Sequence, residues 1–315
     1  MPSADNDSPD LEWRKIRYNA LTALKSLDLP DDLEIPTLPT SLSSFLEESA
    51  RDEYDVQALG RIVEFDPGMT LDLLKCVNAA SNAARRPVNN ATAALIRLGV
   101  PTARNYLIAA GLKSATMAYN SKLINHQNFW NESLRRALFS QYTAVNLGVD
   151  SDLAFIGGLL QDFSLHGLTN QFDHQYIEFL RDAAPSGISL VDWEQETFGW
   201  NHAAVGAFIA HKWNMPEDFL SAILFHHRMD LTVTVSGGEL FQLFPMTLAA
   251  LLPDQLNQVP GGVQRLLAAD AKSKVIKLVD TCDAVDKQLA TIGGSSYTPL
   301  SLAPLIERAR QLATQ

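Results

Sequence analysis

The chain reads as an all-α protein. Apolar residues recur at spacings of three and four through nearly every patterned segment, and sustained alternation of period two is almost absent. Capping residues open the periodic runs and Gly or Pro closes them. Met1 to Leu33 is a polar extension with an acidic start, expected to hold one helix. A break at Ile35-Pro36 to Pro39 follows, then a stripe of Val56, Leu59, Ile62 and Val63. Asp66-Pro67 is the clearest start signal: Asp accepts from exposed backbone N–H groups and Pro fits the first helical position. Met69, Leu73, Leu74 and Val77 then predict a helix over about Pro67 to Ser81. Asn90 caps a short helix carrying Ala94, Leu95 and Leu98 that stops at Gly99, and Pro101 opens another. Further breaks lie at Ser114 to His126, Ser186-Gly187 and Val259 to Gly262. The one β-looking run, Leu231 to Val235, has no partner strand and is expected as an extended loop. These breaks divide the chain into an extension at 1–33, a first helical lobe at 34–118 and a second at 119–315.

Composition removes several function classes. With 315 residues, 46% apolar and 19% charged, the chain is long enough to bury a large core and lacks the signature of disorder. No apolar run approaches the roughly eighteen residues that span a bilayer, so no membrane association is expected. The net charge of -11 opposes the counterion-release attraction that nucleic acids exert on basic proteins. The start lacks the pattern of a signal peptide, which places the expected location in the cytoplasm. Cys76 and Cys282 are too far apart for a CxxC metal pair and read as small apolar residues. Dinucleotide, P-loop and nucleophile-elbow motifs are absent.

Chemistry concentrates between His166 and His227. His202 shares a stripe with Val205, Ile209 and Trp213, so its ring should point inward. Phe219, Leu220 and Ile223 define a face that ends at His226 and His227, and Asp162 follows Phe155 and Leu159 on another. Inward carboxylate and imidazole groups are what a metal needs from rigid elements. The same spacing also suits core histidines with ordinary hydrogen bonds and an Asp162 that pairs locally.

An ordered series of motifs is more specific. Ile35-Pro36-Thr37-Leu38-Pro39, Leu59-Gly60-Arg61-Ile62-Val63 before Asp66-Pro67, Leu73 to Ala80 and Ala93 to Gly99 come first. Phe129 to Ser133, Gly158 to Asp162, Phe198 to His202, Trp213 to Pro216 and His226-His227 follow. Together, over roughly Leu33 to Met229, they resemble the HDOD domain, the "HD-related output domain" of bacterial signalling proteins. The resemblance implies a two-lobed helical fold whose second lobe is an HD-like bundle. Enzymes related to that domain, the HD phosphohydrolases and HD-GYP phosphodiesterases, hold divalent metals with His, a His-Asp pair, further His residues and a late Asp. By that likeness Glu132 stands where the first His would be and Gln161 replaces the His before Asp162. His202, His226 and His227 are kept, and Asp283 stands for the last Asp.

A neutral Gln is a weak ligand for a transition metal, and Glu132 can pair with Arg135 or Arg136 one turn on. The site is therefore expected to be degenerate, with no catalytic residue and no resident metal. The implied function is a regulatory signal-transduction module that binds a protein partner or a small ligand such as a nucleotide. The other reading is a metal-dependent phosphohydrolase or cyclic-dinucleotide phosphodiesterase using Glu132, Asp162, His202, His226 or His227, and Asp283, with Mn, Fe or Mg weakly bound. A partner with a basic surface, seated in the groove between the lobes, suits the acidic charge.

Overall fold

The computed structural model describes residues 9–80, 87–116, 121–233, 238–273, 275–293 and 301–313. Among these there is no strand. The helices run in chain order as α1 (Pro9–Leu24), α2 (Thr40–Ser49), α3 (Val56–Glu64), α4 (Pro67–Ala80), α5 (Ala91–Leu98) and α6 (Val100–Thr116). They continue as α7 (His126–Leu147), α8 (Ser151–Leu160), α9 (Leu165–Gln171), α10 (Asp173–Glu178), α11 (Leu190–Phe198), α12 (His202–Lys212) and α13 (Glu217–Leu224). The last five are α14 (Met229–Val233), α15 (Phe244–Ala249), α16 (Gly262–Lys272), α17 (Leu278–Gly293) and α18 (Leu302–Ala313).

The start signals expected at Asp66 and Asn90 act as helix caps, and Asn201 caps α12 in the same way. Asp66 accepts from Met69 N–H at 3.0 Å, Asn90 from Ala93 N–H at 2.8 Å and Asn201 from Ala204 N–H at 3.0 Å. Ser81 lies outside the described residues, as does Arg85-Arg86, which with Arg135-Arg136 makes up two basic pairs expected from the sequence as solvated faces or intrachain salt-bridge donors. Two expectations are corrected. The break placed at Ser114 begins later, because α6 continues to Thr116. Leu231 to Val233 is helical, not extended: the Thr232 hydroxyl lies within 3.2 Å of both Met229 O and Thr247 Oγ1, so contact with α15 overrides β-branched propensity. The run's remaining residues, Thr234 and Val235, lie outside the described ones.

The core of α2–α6 is built from fully buried Leu42, Phe45, Leu59, Leu73, Leu95 and Leu107, each worth about 1.5–3 kcal/mol of burial. The same apolar cluster runs on through Leu159, Phe163, Val205 and Ile223, so both helix groups share one core. The 32–36 segment is tied to the second group. Gln171 donates to Asp32 O at 3.0 Å and accepts from Glu34 N–H at 3.2 Å, and Trp213 Nε1 donates to Pro36 O at 3.0 Å. α1 docks behind α13, with Trp13 edge-on to Phe225 at 5.0 Å between ring centroids.

One close approach positions the site. A Cβ on Gly158 would lie 2.7 Å from Arg136 O and 2.6 Å from Ser140 Oγ, and one on Gly157 would lie 2.9 Å from Ala222 and Met246. Only glycines let α8 lie between α7 and α13 this tightly. The turn after α8 then delivers Asp162 between the Arg136 side chain of α7 and the histidines that end α13.

Candidate metal centre

Four side chains converge in the second helix group: Asp162 after α8, His202 at the first turn of α12, and His226 and His227 after α13. One ligand atom from each lies within 4.8 Å of all the others. His202 Nε2 is 3.0 Å from His227 Nε2, 3.3 Å from His226 Nε2 and 3.5 Å from Asp162 Oδ1. His226 Nε2 is 3.4 Å from the same oxygen. His202, His226 and Asp162 are at most 1% exposed, whereas His227 is partly exposed.

The outer hydrogen bonds fix what the inward atoms are. His202 Nδ1 donates to Glu194 Oε2 at 2.6 Å, and the backbone N–H of His202 donates to the same oxygen at 2.8 Å. Glu194, on α11 and fully buried, also accepts from the Tyr176 hydroxyl at 2.7 Å. His226 Nδ1 donates to Ile223 O at 2.5 Å. With both Nδ1 atoms committed as donors, each ring in its neutral form turns its Nε2 lone pair toward the other and toward Asp162 Oδ1. That oxygen has no hydrogen-bond partner although buried. Facing acceptors at this separation repel unless a proton or a cation lies among them.

Charge points the same way. Asp162, Glu194 and Asp254 have side chains at most 4% exposed, and the equally buried Arg136 pairs with Asp162 and Asp254. Burial pushes the Asp162 carboxyl up, but Arg136, His226 and His202 outweigh it and hold it well below the usual carboxylate range. Burial lowers His202 less than Glu194 and Asp162 raise it, so its pKa lies above the ordinary imidazole value. Burial holds His226 below that value, and burial with the neighbouring His226 and His202 holds His227 well below it.

The donor set fits a metal ion. Nitrogen and oxygen ligands about 2.1 Å from one centre are themselves about 3.0–3.4 Å apart, close to the spacings found. An acceptor left unpaired in the middle and second-sphere groups on two imidazoles complete the fit.

The remaining sequence-predicted positions fall elsewhere. Gln161 is buried, its Nε2 3.4 Å from Asp162 Oδ2 and its Oε1 without a partner, so it adds no ligand to the cluster. Glu132 accepts from the backbone and side-chain N–H groups of Gln255, both at 3.4 Å. Its carboxyl is raised to about 7, by burial first and Asp254 second, with Arg136 opposing. Asp283 lies on an exposed position of α17, outside the cluster, and the additional buried carboxylate comes from the loop residue Asp254. Arg136 is buried and acts as an intrachain ion-pair donor to Asp162 and Asp254.

Sequence reasoning missed Glu194, Tyr176 and Asp254. A signal existed for Glu194, which stands four residues after buried Leu190 on the core-facing stripe of α11. None existed for Asp254, which lies in a loop without periodicity.

Comparison with known proteins agrees with this architecture. The HDOD domain model matches residues 35–229, and the chain belongs to that family. A protein of Shewanella amazonensis SB2B, whose name gives it a provisional phosphohydrolase role, superposes with a TM-score of 0.60 at 20% identity, covering 86% of this chain and 94% of that one. A Marinobacter aquaeolei VT8 protein with a provisional signal-transduction name superposes at 0.58 and 17% identity, covering 93% of this chain and 68% of that one. Among curated relatives, an uncharacterized protein of Treponema pallidum (strain Nichols) is 24% identical over 221 residues, which is 69% of this chain and 42% of the relative. Ribonuclease Y of Thermotoga petrophila is 26% identical over 152 residues, 48% of this chain and 23% of the enzyme. The chain thus spans less than half the length of either curated relative. Among the described residues, no helix is long and apolar enough to cross a membrane.

Proposed function

We propose that this chain is a signal-transduction module that does not hydrolyse phosphoesters, and that Asp162, His202, His226 and His227 hold one divalent cation as an internal fastener between α8, α12 and α13. The observation that carries this reading is closure. Structural metal sites are closed and catalytic ones keep an open position for water and substrate. Here His202, His226 and Asp162 are at most 1% exposed, and the second oxygen of Asp162 is held by Arg136.

When bound, the ion would supply charge compensation and cross-linking. The residues themselves divide the work: Glu194 orients His202 through Nδ1, Ile223 O orients His226, and Tyr176 holds Glu194 in place. A signalling partner is expected not between the lobes but on the open groove of about 550 Å³ lined by Glu34 to Thr37, Pro39, Ser114 and Ala115, all residues of the first lobe. The net charge of -11 favours a basic surface there, with binding that weakens as salt rises.

Partial exposure of His227 is the feature that favours hydrolysis instead, because it leaves one side of the cluster nearest to solvent. The test is incubation of metal-supplemented protein with cyclic dinucleotides, nucleoside phosphates and a chromogenic phosphodiester. No turnover above background is expected. Turnover that disappears in Asp162→Ala would establish the enzyme reading.

A further inference from the structure

Arg136 is a strange residue to bury. It projects from the middle of α7 at 3% exposure, with one terminal nitrogen on Asp162 Oδ2. The other donates to Asp254 Oδ2 at 3.0 Å and to Leu252 O at 3.3 Å. Glu132, one turn earlier on α7, faces the same guanidinium closely enough to feel its charge. Arg136 Nε finds no acceptor, so the surroundings match the guanidinium's charge better than its five-donor geometry.

The oxygens around that charge form a recognisable set: carboxylates of Asp162, Asp254 and Glu132, and a backbone carbonyl. Hard divalent cations are held by such oxygens. Asp162 divides its carboxylate between two centres, Oδ1 toward the imidazoles and Oδ2 toward the guanidinium. A carboxylate shared in this way is how two neighbouring cations are commonly clamped.

We propose that the Arg136 guanidinium stands in the position of a second divalent cation, so that the chain is built for one exchangeable ion and removal of the guanidinium opens a second, oxygen-lined site. The proposal rests on the reading of the imidazole cluster as a metal centre and adds to it. A fixed internal cation keeps Asp162 compensated whatever the metal supply. It also removes the second ion that two-metal hydrolysis uses to stabilise both the attacking and the leaving oxygen.

The experiment uses the full chain, stripped with chelator, desalted and dialysed to equilibrium against Mn²⁺, with bound metal counted by mass spectrometry. Arg136→Ala is expected to bind one Mn²⁺ more per chain than the parent, and the added ion should be lost in Arg136→Ala with Asp254→Ala. Arg136→Lys keeps a cation and should gain none. One ion in the parent and one in a folded Arg136→Ala overturns the proposal while leaving the imidazole centre intact. None in the parent and one in Arg136→Ala defeats the imidazole centre while supporting the role given to Arg136. A parent that already loses a second ion on Asp254→Ala also overturns the proposal. If Arg136→Ala unfolds when stripped, Mn²⁺ should restore its melting transition but not that of the variant that also carries Asp254→Ala. Failure of that rescue counts against the proposal.

Discussion

The two helix groups follow the same apolar period and share one continuous cluster, yet they bury different things. Across α2–α6 the buried polar side chains among the described residues are Ser49 and Asn105. From α7 through the turn after α13 they include Arg135, Arg136, Gln161, Asp162, His166, Glu194, His202 and His226. Desolvating charges costs several kcal/mol per ion, and replacing buried ion pairs with apolar residues of similar size is often neutral or stabilising. The second group therefore does not carry its charges for stability. They make sense as a site, and α2–α6 make sense as the scaffold that continues its core.

If so, breaking the charged group should cost most. Asp162→Ala leaves Arg136 with Asp254 as its remaining ion-pair partner and should destabilise by about 3–5 kcal/mol, read from urea denaturation midpoints at an unchanged slope. A loss under about 1 kcal/mol would mean that the network is not energetically coupled. Leu95→Ala, in the apolar group, should cost about 2–5 kcal/mol through a cavity, and by the same amount at pH 5 and pH 8 because the atoms removed are apolar.

The pH response separates the groups further. His166 is 1% exposed, stacks on His126 at 4.4 Å between centroids and has no partner for Nδ1. Burial first, and His126 second, lower its pKa to about 4. Its unfolded value is about 6.5, so as pH falls below that the unfolded chain takes up the proton before the native one. Stability is then lost with falling pH, by about 2 kcal/mol between pH 7 and pH 5 from this residue. His166→Phe should show a loss smaller by that amount, and an identical pH dependence would show that His166 is not held neutral. The smallest effect belongs to the surface of α1. Arg17 pairs with Asp218 at 2.8 Å, but that partner is 63% exposed, so Arg17→Ala should cost less than about 1 kcal/mol and the difference should shrink in high salt.

The same contrast explains what the sequence revealed. Capped helix starts at Asp66, Asn90 and Asn201 are local signals, readable within four residues, and each marks a real start. Asp162, His202, His226 and His227 were also legible, because each sits on or just beyond an inward apolar stripe. Arg136 was readable as a salt-bridge donor or as part of a solvated face, but its partners were not, because Asp162 and Asp254 come from 26 and 118 residues further along. Asp283 kept its place in a motif series but not in space. Leu231 to Val233 followed its contacts with α15 and not its propensity. Long-range pairing of charges leaves no local period, and that is why the carboxylate wall around Arg136 and the Tyr176–Glu194–His202 relay appeared only with the fold.

Thermal unfolding of chelator-stripped protein, repeated with Zn²⁺ in excess over the chain, tests the role of the cluster most directly. A ligand at about one hundred times its dissociation constant adds about 2.7 kcal/mol to native stability. The metal should raise the melting temperature of the parent by several degrees, and His202→Ala should lose that response. Equal melting temperatures for the parent with and without metal, or an undiminished rise in His202→Ala, would contradict a metal centre at these four residues.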